Sequence, residues 1–124
     1  YSRRQKKDSA IRTVMGKHSL LALQNFTKQV PIANDLIEAV VKIVGHTREH
    51  KNHVEYGASP RASIGLILAA KGRALLQGRN HVSIKDIEHM AYPVLRHRII
   101  LNFDAERQGM TADDAVKDIL KRTL

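Results

Sequence analysis

Residues 59–78, Ser59-Pro60-Arg61-Ala62-Ser63-Ile64-Gly65-Leu66-Ile67-Leu68-Ala69-Ala70-Lys71-Gly72-Arg73-Ala74-Leu75-Leu76-Gln77-Gly78, decide the fold. Pro60 suits a first helical position, where its missing N–H costs nothing, and Gly78 is placed to terminate the helix. Between them Ile64, Leu66, Ile67, Leu68, Ala69 and Ala70 are apolar on nearly every side of a 3.6-residue wheel, the pattern of a helix surrounded by others. The spacing predicts a central helix opening at Ser59 and running to about Gln77 in an all-α domain.

The flanks carry further helical patterns. Upstream, Ser19 is a plausible N-cap, and Leu20, Leu23, Phe26 and Val30 follow at helical spacing until Pro31 stops the run. A second pattern after Asn34 places Leu36, Ile37, Val40, Val41 and Val44 on one stripe, and these two helices are expected to pair antiparallel. Downstream, Ser83 opens a helix with Ile84, Ile87, Met90 and Ala91 inward; Pro93 should kink it or restart it as a short turn. Ile99, Ile100 and Leu101 then extend into the core, and Gly109 with the N-cap Thr111 introduces an amphipathic helix bearing Val116, Ile119 and Leu120. No stretch alternates apolar and polar residues as a strand should. The expected architecture is four main helices plus a C-terminal amphipathic one.

At 124 residues and 43% hydrophobic, the chain can bury one modest core, and a second domain is not expected. It contains no cysteine, hence neither disulfide nor thiolate chemistry. No apolar run approaches the ~20 residues that span a bilayer, and no signal-peptide pattern opens the chain. A cytoplasmic protein without membrane contact is expected, and the start at Tyr1 suggests a piece of something longer. The formal charge is +9, much of it from Arg3, Arg4, Lys6, Lys7, Arg12 and Lys17. Residues 1–18 therefore read as a basic linker and 19–124 as the folded domain. Such charge invites an alternative reading as an independent DNA-binding module, since lysine and arginine displace counterions from phosphates. With aromatics at 4% and no helix carrying a row of base-reading side chains, nucleic acid is not the expected partner.

Gly57, Ala58, Ser59, Pro60 and Arg61 form the candidate site. Gly57 permits a backbone turn, Ser59 and Pro60 start a helix, and Arg61 emerges in its first turn, where a cation opposes the helix macrodipole. A phosphate held jointly by helix amides and a guanidinium would relieve that conflict. An ordinary capped helix with a solvated arginine accounts for the same pattern.

The string Tyr56-Gly57-Ala58-Ser59-Pro60-Arg61-Ala62-Ser63 resembles the start of the third lid helix in MoxR-type AAA+ ATPases. Further similarities follow in the family's order: Leu21-Ala22-Leu23-Gln24, Thr47-Arg48-Glu49-His50, Ala69-Ala70-Lys71-Gly72-Arg73-Ala74-Leu75, Val82-Ser83-Ile84-Lys85-Asp86-Ile87, and Val94-Leu95-Arg96-His97-Arg98-Ile99-Ile100-Leu101. The resemblance implies an AAA+ lid-type helical bundle packed over ATP that is bound, with magnesium, mainly by a separate core domain. It implies that Arg61 is the sensor 2 arginine, with Gly57, Ala58, Ser59 and Pro60 forming the loop that presents it. It also implies partners: the chain's own AAA+ core, neighbouring subunits of a ring, and a client protein in chaperone-like remodelling. No P-loop is present, because Gly16-Lys17-His18-Ser19 has Ile11 in place of the first glycine and a histidine at the hydroxyl position. This chain alone is not expected to hydrolyse ATP, whereas its full-length parent is.

His46, Glu49 and His50 spell the inverted zinc-protease pattern, with His53 a turn further on. A third ligand and a cleft would be needed, so no metal is expected; the imidazoles read as a solvated helix end facing the negative dipole pole. Asp113 and Asp114 read as first-turn carboxylates that complement the opposite pole. Arg96, His97 and Arg98 read equally as an interdomain contact or a solvated turn.

Overall fold

The computed structural model describes residues 11–50 and 52–124. Its elements are α1 (Lys17–Gln29), α2 (Asn34–Glu49), β1 (Val54–Tyr56), α3 (Arg61–Leu76), α4 (Ile84–Leu95), β2 (Ile100–Leu101), α5 (Phe103–Arg107) and α6 (Ala112–Thr123). The architecture is all-α, and α3 is its centre: α4 lies along it, with α2 and α1 against its remaining sides, while α6 closes over α2 and α4. Val40, Ile43, Leu66, Ile87, Leu95, Val116 and Ile119 form the fully buried core. Truncating one of the larger of these, such as Leu66, to alanine removes about 2–5 kcal/mol.

The termini of α3 show how local chemistry sets the frame. Gly78 has φ +76°, its amide donates to Leu75 O, and the Arg79 amide donates to Ala74 O, closing the helix by a Schellman turn that glycine adopts without steric cost. At the other end Pro60 is already in the right-handed helical region, and the Ser59 carbonyl accepts the Ala62 amide at 2.9 Å. The Ser59 hydroxyl makes no capping bond, so the expected side-chain cap is replaced by a backbone turn.

Several other expectations need correction. Helix α1 starts at Lys17 with Gly16 as its cap, not at Ser19, and buries none of its residues. It does not form an antiparallel pair with α2; it lies on α3, with the Thr27 methyl near Gly72 and Lys71 donating to Lys28 O at 3.0 Å. On α2, Val41 faces solvent and Ile43 takes its place in the core. Helix α4 passes through Pro93 to Leu95, because the ring lies on the exposed face with only two helical residues left beyond it. Ile100 is exposed, and β2 pairs antiparallel with β1, Val54 opposite Leu101 and Tyr56 opposite Ile100. This small ribbon carries too few residues to show alternation. Of the expected basic linker, Arg3, Arg4, Lys6 and Lys7 lie outside the described residues.

The expected solvated histidine end is instead packed. His50 is 3% exposed with Nε2 2.6 Å from Asp118 Oδ2, and the His46 ring nitrogen Nδ1 lies 2.8 Å from Thr123 Oγ1. Both contacts tie α2 to α6, while the His53 ring tilts against that of His50 at 5.2 Å. Among the described residues no three histidine or carboxylate side chains are grouped to hold a metal ion. No helix among them is long and apolar enough to cross a membrane.

Candidate functional site

Four of the five candidate residues form the loop between β1 and α3, and Arg61 is the first residue of α3 itself. The Arg61 side chain is exposed and makes no hydrogen bond or ion pair with any described residue. No acidic residue occupies the first turn of α3, and none of the described residues pairs with the Arg61 guanidinium at this positive helix pole. One and two turns further along the same face stand Ile64, 63% exposed, and Leu68, 39% exposed. On α1, which packs against α3, Leu20, Leu21, Leu23 and Phe26 are also exposed. Arg61 thus heads a face of α3 on which two large apolar side chains are open to solvent.

The loop before Arg61 is held by the end of α2. Gly57 does not owe its place to a left-handed turn, since its φ is not positive. A Cβ at that position would fall 2.4 Å from the carbonyl carbon and oxygen of Thr47 and 2.5 Å from the Arg48 amide nitrogen, a spacing that only glycine permits. Ala58 is buried, and Ser59 and Pro60 are exposed. Thr47 Oγ1 accepts the Ala58 amide at 2.8 Å, and Arg48 Nη1 donates to the Ala58 carbonyl at 2.9 Å. Sequence reading did not assign Thr47 and Arg48 to this site; the signal was the motif Thr47-Arg48-Glu49-His50, read only as the end of a helix.

The other candidates lie elsewhere. Arg96 pairs with Asp113 through two bonds of 2.8 and 3.1 Å on the surface, and Asp114 accepts the Thr111 amide at 2.9 Å to cap α6. Asp113 and Asp114 therefore serve local structure at the start of α6, as their position in its first turn implies.

A model of the AAA lid domain family matches residues 46–119. The chain belongs to the AAA lid domain family. Among the relatives of this lid, the Bacillus subtilis protein YeaC is 36% identical over 119 residues, covering 94% of the chain and 37% of YeaC. The chaperone MoxR1 of Mycobacterium tuberculosis is 33% identical over 116 residues, covering 87% of the chain and 31% of MoxR1. The crystal structure of a Cytophaga hutchinsonii protein assigned as an ATPase superposes with a TM-score of 0.81 at 30% identity, covering 98% of the chain and 40% of that structure. The lid is of the MoxR type, and it spans about a third of the length of these relatives. None of the comparisons supports the DNA-binding alternative.

Proposed function

We propose that this lid senses nucleotide for a MoxR-type AAA+ ATPase, with Arg61 as the sensor 2 arginine directed at the phosphates of ATP. The observation that carries the reading is a guanidinium at the opening of the central helix, exposed and without a hydrogen-bond or ion-pair partner among the described residues. Leaving a cation on the positive pole of a helix is unfavourable by itself, and an anion supplied from outside relieves both charges at once. ATP with magnesium is bound by the core domain; the lid contributes the arginine and, through Gly57, Ala58, Ser59 and Pro60, the loop that presents it.

The exposed face of Arg61, Ile64, Leu68 and α1 packs on that core, so loss of the γ-phosphate changes the tilt of the lid. Because the bundle is one packed body around α3, the tilt passes as a rigid rotation to the neighbouring subunit of a ring and drives chaperone-like remodelling of a client protein in the cytoplasm. The lid supplies electrostatic stabilisation and mechanical coupling; the attacking water is placed by the core.

The test is Arg61→Ala in the longer protein that joins this lid to its ATPase core. Turnover should fall by about 10- to 1,000-fold, the range for removing one preorganised charge-stabilising donor. The melting temperature of the lid should barely move, since the side chain is exposed and makes no hydrogen bond or ion pair with any described residue. Unchanged turnover together with unchanged ATP affinity sinks the assignment.

A further inference from the structure

Two neighbouring residues at the end of α2 hold both backbone polar groups of Ala58, three positions before Arg61. The Thr47 hydroxyl accepts the Ala58 amide at 2.8 Å and spends its own proton on the Val44 carbonyl at 2.6 Å, so its single donor is committed and the hydroxyl cannot swing away cheaply. Arg48 Nη1 closes the other side on the Ala58 carbonyl at 2.9 Å. Thr47 is fully buried and Ala58 is 1% exposed, which strengthens the bond between them relative to a solvated pair. Gly57, pressed onto the Thr47 carbonyl, adds a steric stop immediately before the clamp. Beyond it only Ser59 and Pro60 precede Arg61, and the proline ring fixes one of the remaining torsions. The direction in which Arg61 leaves the domain is therefore set by α2 as well as by α3.

We infer that Thr47 and Arg48 are positioning residues for Arg61: they clamp Ala58 so that the guanidinium meets phosphate at a fixed place, without touching nucleotide themselves. This rests on the reading of Arg61 as the phosphate sensor. A displacement of about 1 Å at a charge-stabilising group costs up to about 100-fold in rate, so a slack loop would weaken sensing even in a folded lid.

The experiment is a double-mutant cycle on ATP turnover in the longer protein carrying its core. Thr47→Val keeps the shape and removes the acceptor; Thr47→Ser restores it; Arg48→Gln removes the charged fork from a partly exposed side chain. Thr47→Val and Arg48→Gln should each lower kcat by about 5- to 50-fold with a smaller change in KM, and Thr47→Ser should stay within about 2-fold of the parent. In an Arg61→Ala background each should cost less than about 2-fold more, because a residue acting only through Arg61 has nothing left to position. Losses that multiply with Arg61→Ala, or no loss from either substitution, overturn the inference and leave Arg61 as sensor. If Arg61→Ala is itself silent, the sensor reading falls and this inference with it. Should Thr47→Val fail to fold, the Arg48→Gln cycle decides alone.

Discussion

His50 Nε2 and Asp118 Oδ2 lie 2.6 Å apart, joining the end of α2 to the middle of α6 across 68 residues of sequence. The imidazole is buried, while the carboxylate is nearly half exposed. The same end of α2 thus grips α6 through His50 and the Ala58 loop through Thr47. The hydrogen bond from His50 holds the Asp118 carboxyl below its ordinary range, and partial burial opposes this more weakly.

A pH dependence follows from that pair and from Asp86. At Asp86 burial pushes the carboxyl up, but the Ser83 amide, Arg79 and Arg73 outweigh it, so the net shift is downward. A carboxylate whose folded value lies below its unfolded one contributes stability above the unfolded value, near 3.8, and loses it as pH falls through the folded value. The melting temperature of the isolated lid, followed by circular dichroism, should be level from neutral pH down to about 5 and fall steeply below 4. Asp118→Asn should lower the plateau and flatten the acid limb. A limb identical to that of the parent would show that the pair contributes nothing.

Asp86 is the only acidic residue among the fully buried described side chains, and it receives Arg73 Nη1 at 2.7 Å, a guanidinium nitrogen of Arg79, and the Ser83 amide at 2.8 Å. One carboxylate so joins the last turn of α3, the following loop and the first turn of α4. Removing one partner of a fully buried pair costs about 3–5 kcal/mol; with the two arginines partly exposed the cost should be nearer 2–3 kcal/mol. Asp86→Asn should show this in urea unfolding, and Arg73→Ala or Arg79→Ala alone should cost less because the other arginine remains. A loss under about 1 kcal/mol for Asp86→Asn would mean that the network merely offsets its own desolvation.

The central helix was legible because its composition is apolar all round and its ends are marked by proline and glycine. Helix α6 was equally legible from Thr111 and from the stripe of Val116, Ile119 and Leu120. The α1–α2 pairing misled because periodicity shows that a helix has an apolar face but not what covers it: Leu20, Leu23 and Phe26 are periodic yet exposed. The histidines misled for a related reason. His50 and its partner Asp118 are far apart in sequence, and no local pattern announces a bond between them. Near the candidate site the loop from Gly57 to Pro60 and the helix opening at Arg61 were readable, whereas the bonds from Thr47 and Arg48 to Ala58 exist only once α2 is folded against the loop.

Two glycines give opposite expectations that separate close approach from mere helix weakness. At Gly57 an added Cβ meets the Thr47 carbonyl at 2.4 Å, and that neighbour is backbone in the buried end of a helix, so it cannot rotate aside. The loop or the helix end must shift. Gly57→Ala should therefore destabilise the lid by about 1–3 kcal/mol, as overpacking does. Gly65 lies in the middle of α3 with nothing within 4 Å of its added Cβ. There alanine restores helix propensity and restricts the unfolded chain, so Gly65→Ala should stabilise by about 0.5–1 kcal/mol. Urea unfolding of both variants checks the pair. If Gly57→Ala is as stable as the parent, α2 does not press on the loop, and the clamp on Ala58 loses its steric half; if Gly65→Ala is destabilised instead, that face of α3 is more crowded than its geometry allows.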